Sequence, residues 1–198
     1  MKLVAVSQRV DVWADRGETR DALDQRLVTF LAEAGLLAVP VPNAPGQLSA
    51  WLDALPVEGV VLSGGNDIGQ RPERDATEVG LLEWATVRHL PALGICRGMQ
   101  MMVVKGGGTL ARVEGHVRVR HCFALAGESP QDVEVNSYHD WGVATLPPLW
   151  NAFGCAPDGT VEAMRHKELP WQGWMWHPER EAVFQPADIG RARNLFQV

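Results

Sequence analysis

Four short apolar runs, at residues 3–6, 37–41, 59–62 and 92–95, alternate with longer stretches whose apolar positions recur at helical spacing. Runs this short, bounded by polar or turn residues, read as strands buried on both faces. Between them, 21–34 carries Leu23, Leu27, Phe30 and Leu31 on one helical face and stops before Gly35. Residues 47–55, ended by Pro56, and residues 76–90 predict two more helices. This alternation predicts an α/β fold with a mostly parallel sheet covered on both faces. The pattern changes after Lys105-Gly106-Gly107-Gly108: from 109 to about 164, short alternating segments separated by Gly, Pro and Asp predict an antiparallel insertion. It precedes a last buried strand at Gly173-Trp174-Met175. Two-residue periodicity puts Trp174 and Trp176 on one face, opposite Met175 and His177, as expected of a packed sheet face under a helix. With no internal repeat, the 198 residues predict a single domain, 1–198.

Composition narrows the classes. A formal charge of -6 and a pI near 5.5 argue against nucleic acid or an anionic membrane as partner. No apolar segment reaches membrane-spanning length, and residues 1–6 are too short for a signal-peptide core. Three cysteines without framework spacing fit a reducing compartment, and the cytoplasm is expected. The cysteines and the six histidines form no CxxC or HExxH pair, so no metal and no cofactor is expected. Cys122 and Cys155 are read as packing residues. Within 112–121, His116, Arg118 and Arg120 fall on one strand face if the alternation holds. Two readings stand for that strip: a solvated edge strand, or a basic contact for an anionic leaving group.

The chemistry concentrates in three places. Gly94-Ile95-Cys96-Arg97-Gly98 joins an apolar run to a helix-forming stretch, 99–104, and reads as a nucleophile elbow carrying cysteine. Flanking glycines allow a strained turn, and the helix amino terminus behind Cys96 favours a thiolate. Trp176-His177-Pro178-Glu179-Arg180 follows the last strand. His177 and Glu179, two apart, would share one face of an extended strand, so the imidazole can serve the thiol and the carboxylate can fix the imidazole. Val60 to Leu62 runs into Ser63-Gly64-Gly65-Asn66-Asp67, where paired glycines allow an N–H to face a developing oxyanion. The backbone N–H groups of Gly65 and Arg97 are the candidate donors.

In this order, these motifs and the segment Asn136-Ser137-Tyr138-His139 resemble the class I glutamine amidotransferase-like family, in its γ-glutamyl hydrolase (peptidase C26) branch. The resemblance runs from about residue 1 to about 184. It implies a three-layer, flavodoxin-like sandwich and a Cys96, His177, Glu179 triad. It further implies that Gln100 contacts the γ-glutamyl group, and that Asn136, Ser137, Tyr138 and His139 line the pocket for the glutamyl α-amino and α-carboxylate groups. The implied reaction is hydrolysis of a small-molecule γ-glutamyl amide through a thioester. Asn66, Asp67, Trp141, Arg118 and Arg120 are candidate leaving-group contacts. Relatives that cleave γ-glutamyl-γ-aminobutyrate carry VNSxHHQ and GGxDxxP, where this chain has Val135-Asn136-Ser137-Tyr138-His139-Asp140-Trp141 and Gly64-Gly65-Asn66-Asp67-Ile68-Gly69-Gln70. Its compact length and LSGGND and LGICRG runs are more similar to hydrolases of γ-glutamyl-CDP-amidate in capsule modification. A glutaminase subunit serving a partner synthase, a γ-glutamyl-γ-aminobutyrate-type hydrolase and an inactive binding or regulatory relative remain open alternatives, as does a homodimer.

Overall fold

The computed structural model describes residues 1–126 and 133–198. Residues 127–132, inside the predicted insertion, lie outside the described residues. A seven-stranded sheet forms the centre. Its strands are β1 (Lys2–Ser7), β4 (Leu36–Val41), β5 (Val57–Leu62), β6 (Ala92–Ile95), β11 (Trp150–Cys155), β12 (Val161–His166) and β13 (Trp171–Trp174), in the spatial order β11-β12-β13-β6-β5-β1-β4. From β4 to β13 all pairings are parallel, whereas β12 is antiparallel to both neighbours. Numbered by their own sequence, the five parallel strands read 2-1-3-4-5, the flavodoxin-like order.

Side-chain alternation divides the core. Val4, Val6, Val61, Leu93, Ile95, Trp174 and Trp176 face one side, where α1 (Gln25–Glu33) and α5 (Pro186–Phe196) supply Leu27, Phe30, Ala192 and Phe196. Ala5, Val60, Leu62, Ala92 and Met175 face the other, against α2 (Leu48–Asp53), α3 (Pro72–Arg88) and α4 (Arg97–Lys105). The stacked Trp174 and Trp176 rings, centroids 5.3 Å apart, lie opposite Met175, as the two-residue period requires.

The predicted insertion resolves into two outcomes. β7 (Thr109–Arg112) pairs with β10 (Trp141–Thr145), and β8 (Val117–Phe123) with β9 (Val133–Tyr138), as small antiparallel ribbons. Its last segments, β11 and β12, instead extend the central sheet. A further ribbon, β2 (Arg9–Trp13) with β3 (Glu18–Ala22), occupies the first residues assigned by periodicity to a helix. Helix α1 therefore begins later, capped by Asp24, whose carboxylate accepts from the Arg26 N–H. Cys122 and Cys155 are exposed, not packed, because their positions on β8 and β11 face away from the core. The basic strip breaks at a bulge between Val117 and Val119, with Arg118 at φ 58°: His116 is buried, while Arg118 and Arg120 are exposed. Among the described residues no helix is long and apolar enough to cross a membrane.

Candidate active site

Strand β6 turns into helix α4 at Cys96, which takes φ 50° and ψ -106°, a conformation that non-glycine residues seldom adopt. The turn is tight because β5 passes beside it: a Cβ on Gly98 would overlap the Leu62 carbonyl oxygen. The Cys96 N–H donates to the Trp174 carbonyl at 2.7 Å, which fixes the elbow against β13, the strand leading to His177. The Arg97 N–H begins α4 and has no intrahelical partner.

Cys96, His177 and Glu179 meet. The Cys96 side chain hydrogen-bonds His177, and His177 Nδ1 lies 2.6 Å from Glu179 Oε1. All three are buried. Burial opposes the imidazolium, but the negative charge and hydrogen bond of Cys96, together with Glu179, outweigh it and push the His177 pKa up to about 9. The local geometry differs from the extended strand expected of His-x-Glu. β13 ends at Trp174, and Pro178–Arg180 forms a 3-10 turn that folds Glu179 back under His177. Pro178 lacks the N–H that would continue a ladder. Close packing over the imidazole also requires glycine: a Cβ at Gly64 would stand 2.7 Å from His177 Cε1.

The glycine loop is held by a guanidinium that sequence reading overlooked. Arg74 donates to the carbonyls of Ser63 at 2.7 Å, Gly64 at 3.1 Å and Gly65 at 2.6 Å. In a trans peptide the N–H opposes the C=O, so anchoring the Gly64 carbonyl turns the Gly65 N–H away from Arg74. Arg74 also pairs with Glu78 at 2.9 Å, and the Glu78 carboxylate pairs with Arg97, which pairs in turn with Asp75. Burial lowers the pKa of Arg74 to about 10 and, with the neighbouring Arg74 charge, that of Arg97 to about 9; both remain cationic at neutral pH. A signal existed: Arg74 and Glu78 fall in helical register with Leu81, Leu82 and Ala85, so two charges occupy the buried stripe of α3.

The remaining predicted residues divide. Asn136 clamps the backbone of His177, its Nδ2 donating to the carbonyl at 2.7 Å and its Oδ1 accepting from the N–H at 3.0 Å. Ser137 donates to the His116 carbonyl, and His139 packs against Glu162. Both side chains point into the protein. Tyr138 alone of that segment is exposed, its ring edge-on to His177 at 6.0 Å. Asp67, Gln100 and Trp141 line a common cleft of about 200 Å³, and Gln100 Nε2 donates to the Trp141 carbonyl at 3.0 Å. Arg112 lies over the Trp141 ring, 4.4 Å from its centroid, and pairs with Asp140. Asn66 binds both backbone groups of Val10, and Arg120 binds Glu134 and Glu181. Those two side chains are occupied by the protein itself, and the fold separates Arg120 from the cleft beside Gln100.

Comparison with known proteins places this geometry. The peptidase C26 family model matches residues 2–179. The γ-glutamyl-γ-aminobutyrate hydrolase of Escherichia coli O157:H7 is 27% identical, over 92% of this chain and 86% of that protein. The γ-glutamyl-CDP-amidate hydrolase of Campylobacter jejuni is 32% identical over 131 residues, 63% of this chain and 64% of that protein. The fold is also that of a crystal structure from Thermoplasma acidophilum described as a putative GMP synthase subunit, with TM-score 0.77 and 20% identity over 100% of this chain and 93% of that one.

Proposed function

The chain belongs to the peptidase C26 family, whose matched relatives include γ-glutamyl hydrolases, and from that premise we propose that it releases glutamate from γ-glutamyl-CDP-amidate by cysteine-dependent hydrolysis. The observation that carries the chemistry is the hydrogen-bonded line from Cys96 through His177 to Glu179 at a strained elbow. The Cys96 thiolate attacks the γ-carbonyl carbon, and the carbonyl pair moves onto oxygen, where the Gly65 and Arg97 N–H groups receive it. Collapse breaks the C–N bond as the His177 imidazolium protonates the departing nitrogen, leaving a thioester. Neutral His177 then takes a proton from water, whose oxygen attacks the thioester; collapse expels the Cys96 thiolate and frees glutamate. Glu179 holds the imidazole tautomer and balances its charge throughout.

The substrate half of the reading rests on the resemblance to the Campylobacter hydrolase and on the cleft between Asp67, Gln100 and Trp141. Trp141, which lines that cleft, offers an aromatic surface suited to a cytosine ring.

Two measurements test this function. Cys96→Ala is expected to retain the wild-type circular dichroism spectrum and lose at least about 10³-fold in turnover, and no acyl adduct should appear by intact-mass spectrometry. Near-wild-type hydrolysis would remove Cys96 from the mechanism. In a panel of glutamine, γ-glutamyl-γ-aminobutyrate and γ-glutamyl-CDP-amidate, the last should give the highest kcat/KM. A preference for glutamine, stimulated by an added synthase, would instead make the chain an ammonia-donating subunit.

A further inference from the structure

Beneath the pocket segment, outside the triad, three ligating side chains converge. His116 immediately precedes β8, His139 follows β9, and Glu162 lies on β12. All three are buried. Glu162 Oε1 stands 3.2 Å from His116 Nδ1 and 3.3 Å from His139 Nε2, and one ligand atom from each residue falls within 4.8 Å of the other two. Among the described residues, no hydrogen bond satisfies His116 Nδ1, His139 Nε2 or either oxygen of Glu162.

The far side of each ring determines its tautomer. His116 Nε2 lies 2.8 Å from a carboxylate oxygen of Asp158, and His139 Nδ1 lies 3.1 Å from the Trp141 carbonyl. Both partners are acceptors only, so each of those nitrogens carries hydrogen. In the neutral rings the opposite nitrogens then present lone pairs to the Glu162 carboxylate. Three acceptors face one another in a buried space with no donor among the described residues, a costly arrangement unless a cation joins them. Imidazoles braced from behind by a carboxylate or a carbonyl, with their free nitrogens directed at a common centre, form the outer and inner shells of a metal site. Bonds of about 2.0–2.1 Å at tetrahedral angles separate ligand atoms by roughly 3.3–3.4 Å; the Glu162–His139 separation of 3.3 Å meets that spacing and the Glu162–His116 separation of 3.2 Å falls just short of it, while the whole set, within 4.8 Å, would draw together around an ion. His121 stands beside the set, its ring 4.4 Å from that of His116 and its buried Nε2 without a hydrogen-bond partner among the described residues.

We propose that His116, His139 and Glu162 form a structural site for a divalent transition-metal cation of the zinc class, which fastens the β8–β9 ribbon to β12. Two imidazoles and one carboxylate suit that borderline class better than calcium or magnesium, which prefer all-oxygen sets. The site would also brace the pocket: the Trp141 carbonyl that receives His139 receives Gln100 as well, and Ser137 and the His139 N–H both donate to the His116 carbonyl. The sequence contains no ligand pair at close spacing because the three ligands come from segments brought together only by folding.

The test uses tag-free full-length protein in which all three cysteines are replaced, since thiolates would also take zinc. After chelator treatment, the folded protein should take up one equivalent of Zn²⁺ by isothermal titration and melt at a higher temperature with the ion than without it. Co²⁺ should give the visible bands of a four- or five-coordinate ion. Glu162→Gln and His116→Asn are each expected to weaken uptake by about 100-fold or more. If these variants fail to fold, the comparison of depleted and loaded parent protein decides by itself. Failure of that folded, depleted protein to bind zinc, with equal melting temperatures in its presence and absence, would overturn the site and leave an ion-pair clasp with protonated imidazoles. Uptake undiminished in folded Glu162→Gln and His116→Asn would overturn it equally, placing the ion elsewhere.

Discussion

The His177 imidazole sits between two acidic partners, and its protonation links the chemistry to pH. Burial alone would lower its pKa, yet Cys96 and Glu179 raise it from 6.5 to about 9. Because the folded value is the higher one, this pairing contributes its full stability below about pH 6.5 and loses it as pH rises through about 9. In the proposed mechanism acylation uses the imidazolium as proton donor, so kcat/KM should fall with rising pH along the same limb. Glu179→Gln removes part of the upward influence. Its alkaline limb should shift toward neutral pH and its kcat should drop at least tenfold, as read from kcat/KM profiles of both proteins; an unmoved limb would sever Glu179 from His177. Cys96, His177 and Glu179 were legible as candidates from their motifs, since elbow glycines and a His-x-Glu pair are local signals. Their mutual pose was less so. Pro178 replaced the expected strand with a 3-10 turn, and Asn136, Ser137 and His139 face the protein interior where pocket-lining groups were expected.

Helix α3 does more than cover the sheet. Its Arg74 binds three successive carbonyls of the glycine loop, while Glu78 neutralises both Arg74 and Arg97. Arg74→Lys keeps the charge but loses the planar fork, so it cannot hold all three carbonyls at once. We expect kcat to fall about 10–100-fold with little change in KM, since a loop donor serves the transition state more than the bound substrate. A matching rise in KM would mean that the loop serves binding. Glu78→Leu leaves two buried guanidiniums short of a counter-charge and should cost about 3–5 kcal/mol in urea unfolding; a loss under about 1 kcal/mol would show that Asp75 suffices. Periodicity located α3 and its apolar stripe but cannot weigh a charge within that stripe. The β2–β3 ribbon escaped for the opposite reason: its strands are mostly exposed, β2 alternates only over Val10 and Val12, and β3 has no apolar face at all.

Across the whole molecule, the small ribbon of β8 and β9 meets the central sheet at the active site, and Asn136 is the joint. Its carboxamide pairs with both backbone groups of His177, residues far apart in the chain. Asn136→Ala should lower kcat about 10–100-fold through misplacement of the imidazole, with Asn136→Asp intermediate and the sheet core intact by near-ultraviolet circular dichroism. Full activity in Asn136→Ala would make the joint merely structural. The parallel sheet, its two-sided core, the Cys96 elbow and the His177-x-Glu179 motif were determined by the sequence alone, because each is written in short-range periodicity or in motifs a few residues long. Only tertiary structure decided that β11 and β12 extend the sheet, that Cys96 meets His177, that Arg74 holds the glycine loop, and that His116, His139 and Glu162 share one buried space. Those outcomes depend on distances between segments remote in the chain, which are set by how strands stack and helices pack, and no local pattern records them.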